Sequence, residues 1–222
     1  NINFYQHVLS YSPEMKTFWR IDSLMECEYD KIRINYENVP FHGGKMKKVI
    51  FDVDGVLLSE ERYFDIAALT VWEILYSPKY MGMPAEKDNF IVGTVNEGRI
   101  AECRKSVWGN GTLISWLKAR GINSNWDMVH AALITIFWIM AEVYSARSGG
   151  EKVAFRLESE KDVQETGKIL MGIPVPSADK ILEKWEKTVP EGIYGEDVIH
   201  TLAAAMAPSF ANPDTWAELR SS

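Results

Sequence analysis

Two aspartates two residues apart, Asp52 and Asp54, carry the clearest chemical signal in the chain. They come after the continuous apolar run Val49-Ile50-Phe51 and precede Gly55. Carboxylates at this spacing can serve one reacting centre, one as nucleophile and the other as acid/base. A strand apolar on both faces is the kind buried in a parallel sheet, and open α/β sheets bind ligands at the carboxyl ends of their strands. Gly55 lets the chain turn sharply there without a Cβ clash. The plainer reading, an acidic turn after a strand, is weakened by the helix start just downstream: Ser59 is a helix cap, with Glu60 and Glu61 in the first turn. No further Asp/Asn ladder or closing Glu completes a calcium loop of the EF-hand type.

The elements that must position this pair change character along the sequence. Before it, Asp30 to Tyr36 alternates polar and apolar residues, so a half-buried strand is expected. After it the pattern is helical throughout. The first helix carries Phe64, Ala67, Ala68, Val71 and Leu75 on one face and ends near Ser77-Pro78. Further helices are expected at about 97–108, 112–120, 125–146, 159–171, 177–188 and 196–206. Gly109-Asn110-Gly111, Gly121, Pro174 to Pro176 and Pro190 punctuate them, and the Gly-Gly pairs at 43–44 and 149–150 are the best breaks.

The segment from Lys47 to Leu58, with its apolar strand and Asp-Val-Asp-Gly-Val, resembles motif I of the haloacid dehalogenase-like superfamily. The resemblance is specific over residues 47–61. It implies an α/β core, with residues 1–58 holding an N-terminal segment and the motif I strand. Residues 59–222 would be a dominant α-helical cap of the kind inserted after motif I, so the chain as a whole should be mostly α. The dehalogenases carry a residue other than Asp at the second position, so Asp54 points to phosphate chemistry. By this resemblance Asp52 attacks phosphorus to give an aspartyl-phosphate, and Asp54 protonates the leaving oxygen and then activates water. Mg2+ is the implied cofactor, held by the Asp52 carboxylate and the Asp54 backbone carbonyl. The implied activity is a phosphatase acting on a small phosphorylated metabolite.

The same family needs a Ser/Thr after a second strand, a Lys and a late acidic pair. Phe90-Ile91-Val92-Gly93-Thr94 and Tyr194-Gly195-Glu196-Asp197 resemble two of these faintly. No β-α alternation links them, and Glu196-Asp197 enters a helical stretch, so both read as cap residues. The chain starts with Asn1 and stops soon after the helix start Asn212-Pro213-Asp214. The expectation is a fragment, inactive alone, of a longer hydrolase. Phosphoglucomutase-type phosphoryl transfer is the enzymatic alternative. A non-catalytic helical module that binds a partner or dimerises is the alternative from another class.

Composition bounds the remaining options. At 222 residues, 46% hydrophobic and 25% charged, the chain can bury a sizeable core. A net charge of -7 does not favour nucleic acid or an anionic membrane surface as partners. The uncharged run Val129 to Ala141 falls short of the roughly 20 residues that span a bilayer and reads as a buried helix. The N-terminus lacks the basic region and apolar run of a signal peptide, and Cys27 and Cys103 lack metal or redox spacing, so a cytoplasmic protein with reduced thiols is expected. His7, His42, His130 and His200 form no ligand spacing. Trp108, Trp116, Trp126 and Trp138 are expected in the core. Lys180, Lys184 and Lys187, with Glu183 and Glu186 among them, read as a solvated helix face.

Overall fold

A computed structural model of the chain describes residues 61–84, 95–156 and 159–212. Compactness divides the chain between Ser59 and Glu60, and every described residue belongs to the unit that begins at Glu60. The expected strands at 30–36 and 49–51, the Ser59 cap and Thr94 lie outside the described residues.

Seven helices carry the described part: α1 (Glu61–Tyr76), α2 (Glu97–Trp108), α3 (Thr112–Ala119), α4 (Asn125–Arg147), α5 (Glu160–Ile169), α6 (Ala178–Thr188) and α7 (Glu196–Met206). A short 3-10 turn, Ala207–Ser209, comes after α7. Among the described residues there is no strand, only a parallel bridge between Val153 and Phe210. The dominant helical character expected from the sequence is therefore present.

The core is built around α4, which packs against α1, α6 and α7. Its buried side chains run from Met128 to Ala141 with few interruptions, because neighbours cover it on several sides. The helix is long and apolar enough to cross a membrane by length and composition, yet 67% of its apolar window is buried inside the body. Its start is fixed by Ser124, whose hydroxyl accepts from the Asp127 amide at 3.3 Å.

Burying large aromatics requires partners for their polar atoms. Trp108 donates its indole N–H to the Phe64 carbonyl at 3.0 Å, pinning α2 to α1. Trp185 of α6 donates to Thr135 of α4 at 2.7 Å. Phe137, Phe155 and Phe210 form a chain of tilted rings with centroid separations of 4.7 and 5.3 Å. Beside them the Asn212 carboxamide grips the backbone of Phe155, accepting from its N–H at 2.9 Å and donating to its carbonyl at 2.7 Å. The expected helix start at 212–214 continues into residues outside those described.

Two glycines are required by close approach. Gly109 ends α2 in the left-handed region at φ 57, and a Cβ there would lie 2.7 Å from the Ala178 Cβ. Gly167 sits inside α5, where a Cβ would come within 2.0 Å of the Met81 carbonyl oxygen. The lack of a side chain lets α5 dock onto the segment after α1, and Gln164 ties the same contact by donating to the Lys79 carbonyl at 3.0 Å.

Two expectations need correction. Trp126 is 44% exposed, while Trp108, Trp116 and Trp138 are buried as expected. It lies in the first turn of α4, where the helix has not yet entered the covered part of the core. Lys184 is not on a simple solvated face: its ammonium lies 3.8 Å from the centre of the Trp138 ring and 2.7 Å from a Glu142 oxygen.

Candidate functional site

Asp52 and Asp54 lie outside the described residues, as does Thr94. Glu196 and Asp197 are exposed in the first turn of α7. Acidic side chains there complement the partial positive charge of the helix start, which is a sufficient structural reason for them.

The entrance to α1 carries a charge network. Arg104 of α2 pairs with Glu61 and reaches Asp65 at 3.4 Å. Arg62 reaches Asp65 at 3.5 Å and Glu97 at 3.0 Å. The hydrogen bond from Arg104 holds the Glu61 carboxyl below its ordinary range, against an opposing push from burial. Carboxylates tied to arginines in this way are poor proton acceptors. The network ties α1 to α2 through Arg104 to Glu61 and Asp65 and through Arg62 to Glu97.

A cleft opens further along the same two helices, against the segment 172–177 that leads into α6. Its volume is about 610 Å³, within the ~300–1,000 Å³ range usual for small-molecule sites. Trp72 and Tyr76, one turn apart on α1, form its aromatic side, with ring centroids 4.6 Å apart. These two rings pack over the buried pair Leu69 and Cys103, so a solid floor holds them. Arg99, Glu102 and Ser106 of α2 add polar groups, and the Arg99 guanidinium donates to Glu102 at 2.8 Å while lying 5.1 Å from the Trp72 ring centre. Pro174 and Pro176 add flat apolar surface from the third side.

Sequence reasoning did not single out this cleft. A signal was present in the spacing of Arg99, Glu102 and Ser106, which repeats at three and four residues and so falls on one helix face. Nothing in the spacing tells whether such a face meets solvent or a cavity.

Two histidines far apart in sequence influence each other: His130 of α4 is half-buried, and His200 of α7 acts on it electrostatically. Burial first, and His200 second, push the His130 imidazole down to about 4. Among the described residues no group of three or more His, Cys, Asp or Glu side chains could hold a metal ion. Cys103 is a free, buried thiol raised to about 11, chiefly by burial.

No protein-family model matches the chain. No curated protein matches it either. Among solved structures, an X-ray structure of a Northeast Structural Genomics Consortium target is similar at 26% identity with a TM-score of 0.56. The match covers 77% of this chain but 44% of that one, so the chain spans less than half the length of the protein it resembles.

Proposed function

We propose that the protein belongs to a haloacid dehalogenase-like, Mg2+-dependent phosphohydrolase acting on a small phosphorylated metabolite. The observation that carries this reading is the segment Val49-Ile50-Phe51-Asp52-Val53-Asp54-Gly55, with a helical body starting a few residues later. In this reading residues 49–51 form a strand of an α/β core, and the helical body is its cap. The Asp52 carboxylate attacks phosphorus, the bond from phosphorus to the leaving oxygen breaks, and Asp54 supplies the proton that oxygen takes up. Asp54 then removes a proton from water, which attacks the aspartyl-phosphate and releases phosphate with Asp52 restored. Two hard carboxylate-bearing residues suit Mg2+, which would be held by the Asp52 carboxylate and the Asp54 carbonyl and would offset charge as an anionic nucleophile meets an anionic phosphate.

The test is hydrolysis of p-nitrophenyl phosphate with Mg2+ or with EDTA, on the 222-residue chain and on any longer protein that contains it. Turnover is expected in the longer protein, and near-background rates in the chain alone, since loss of one charge-stabilising group costs on the order of a hundredfold or more. Asp52→Asn should abolish turnover. An active Asp52→Asn variant, or activity indifferent to EDTA, would overturn the reading.

A further inference from the structure

The cleft between α1, α2 and the segment 172–177 combines aromatic, polar and rigid apolar walls. The aromatic side, Trp72 and Tyr76, is backed by the buried Leu69 and Cys103, so the rings are held in place before any ligand arrives. Arg99 layers its guanidinium over Trp72, 5.1 Å from the ring centre. Aromatic rings and guanidinium planes are the two surfaces on which flat bases stack. Pro174 and Pro176 face the same cavity with rigid apolar rings.

The polar groups narrow the choice further. Arg99 and Glu102 sit side by side in an ion pair of 2.8 Å, with Ser106 one turn on. Their charges offset each other, so among the described lining residues there is no surplus positive charge to draw in a strong anion. It presents donor and acceptor groups next to each other instead. An edge of alternating acceptors and donors is the property of nitrogen heterocycles such as nucleobases, and not of a simple hydrocarbon ring or an aromatic acid. A cavity of about 610 Å³ has room for a base with its sugar.

We propose that this cleft binds a planar nitrogen heterocycle, a nucleobase or nucleoside, stacked on the Arg99 guanidinium where it lies over Trp72, with Tyr76, tilted 41° from Trp72, against its side, and read at its edge by Glu102 and Ser106. The proposal does not rest on Asp52 or on phosphate chemistry. Titration calorimetry of the 222-residue chain with adenosine, guanosine, cytidine and uridine, and with benzoate as a flat acid lacking the ring nitrogens, tests it. Saturable binding of at least one nucleoside at one site is expected, with benzoate much weaker. Arg99→Ala and Glu102→Gln should each weaken it, and Trp72→Ala should cost about tenfold or more in Kd. Glu102 is exposed, so its substitution leaves the core untouched, and Trp72→Phe keeps a stacking ring if Trp72→Ala does not fold. Asp52→Asn in the same chain should leave nucleoside binding unchanged, so failure of this inference is read by calorimetry and failure of the proposed activity by the phosphate-ester assay, each without the other. The inference is overturned if no nucleoside binds, if benzoate binds as tightly, or if binding survives all of these cleft substitutions in folded variants.

Discussion

The Thr135 hydroxyl stands between two elements: it accepts the Trp185 indole N–H at 2.7 Å and donates to the Ala131 carbonyl at 2.8 Å. Both Thr135 and Trp185 are fully buried, so neither partner can turn to water. Thr135→Val should therefore destabilise the fold by about 1–3 kcal/mol, the cost of a buried donor without an acceptor. Thr135→Ser keeps the hydroxyl and should cost less. Urea denaturation monitored by tryptophan fluorescence checks both, and a Thr135→Val variant as stable as the parent would contradict the account.

Gly167→Ala tests a conflict between local preference and packing. Inside a helix, alanine is favoured over glycine by about 1 kcal/mol. Here the added Cβ would meet the backbone oxygen of Met81 at 2.0 Å, and backbone cannot swing aside as a flexible side chain can. The substitution should lower the melting temperature. A stabilised variant would mean that α5 shifts off Met81 freely.

Acid stability should depend on His130. An unfolded histidine titrates near 6.5, while burial holds His130 down to about 4 in the folded protein. The unfolded chain thus binds the proton more readily. The contribution is fully present above about pH 6.5 and is lost as pH falls from there towards 4, by up to roughly 3 kcal/mol. His130→Phe should flatten the pH dependence of urea midpoints across this window, and an unchanged profile would count against the assignment.

Cys103 should resist alkylation. Its thiol is buried and pushed up to about 11, so the reactive thiolate is scarce at neutral pH. In a Cys27→Ser background, iodoacetamide should label Cys103 only in denaturant. Rapid labelling of the native protein would show that α1 and α2 part readily.

The helices were largely legible in the sequence, and for identifiable reasons. Gly109 marks where α2 ends and Gly121 where the stretch before α4 breaks, and the observed bounds Glu97–Trp108 and Asn125–Arg147 fall within a residue of those expected. The apolar face of α1 is buried at Phe64, Ala67, Ala68, Val71 and Leu75, as its spacing predicts. What periodicity cannot carry is the pairing of distant side chains. Lys184 reads as one charge among several on α6, and its position over Trp138 depends on how α4 lies beside it. The cleft wall of Arg99, Glu102 and Ser106 looks like any polar helix face until the segment 172–177 closes against it. Asp52 and Asp54 stand on the sequence of residues 47–61 alone, since they lie outside the described residues.

The grip of Asn212 on Phe155 has a mechanical consequence. Between them lie α5, α6 and α7, and the two hydrogen bonds to one peptide backbone close that stretch into a loop, reinforced by the Ala211 amide to the Val153 carbonyl at 2.9 Å. Tension applied at residue 212 is therefore passed first to the segment at 153–155, which is anchored by Phe155 against Phe137 of α4. These bonds fasten the end of the stretch to its beginning, so α5, α6 and α7 lie within a closed loop with a clasp at its neck.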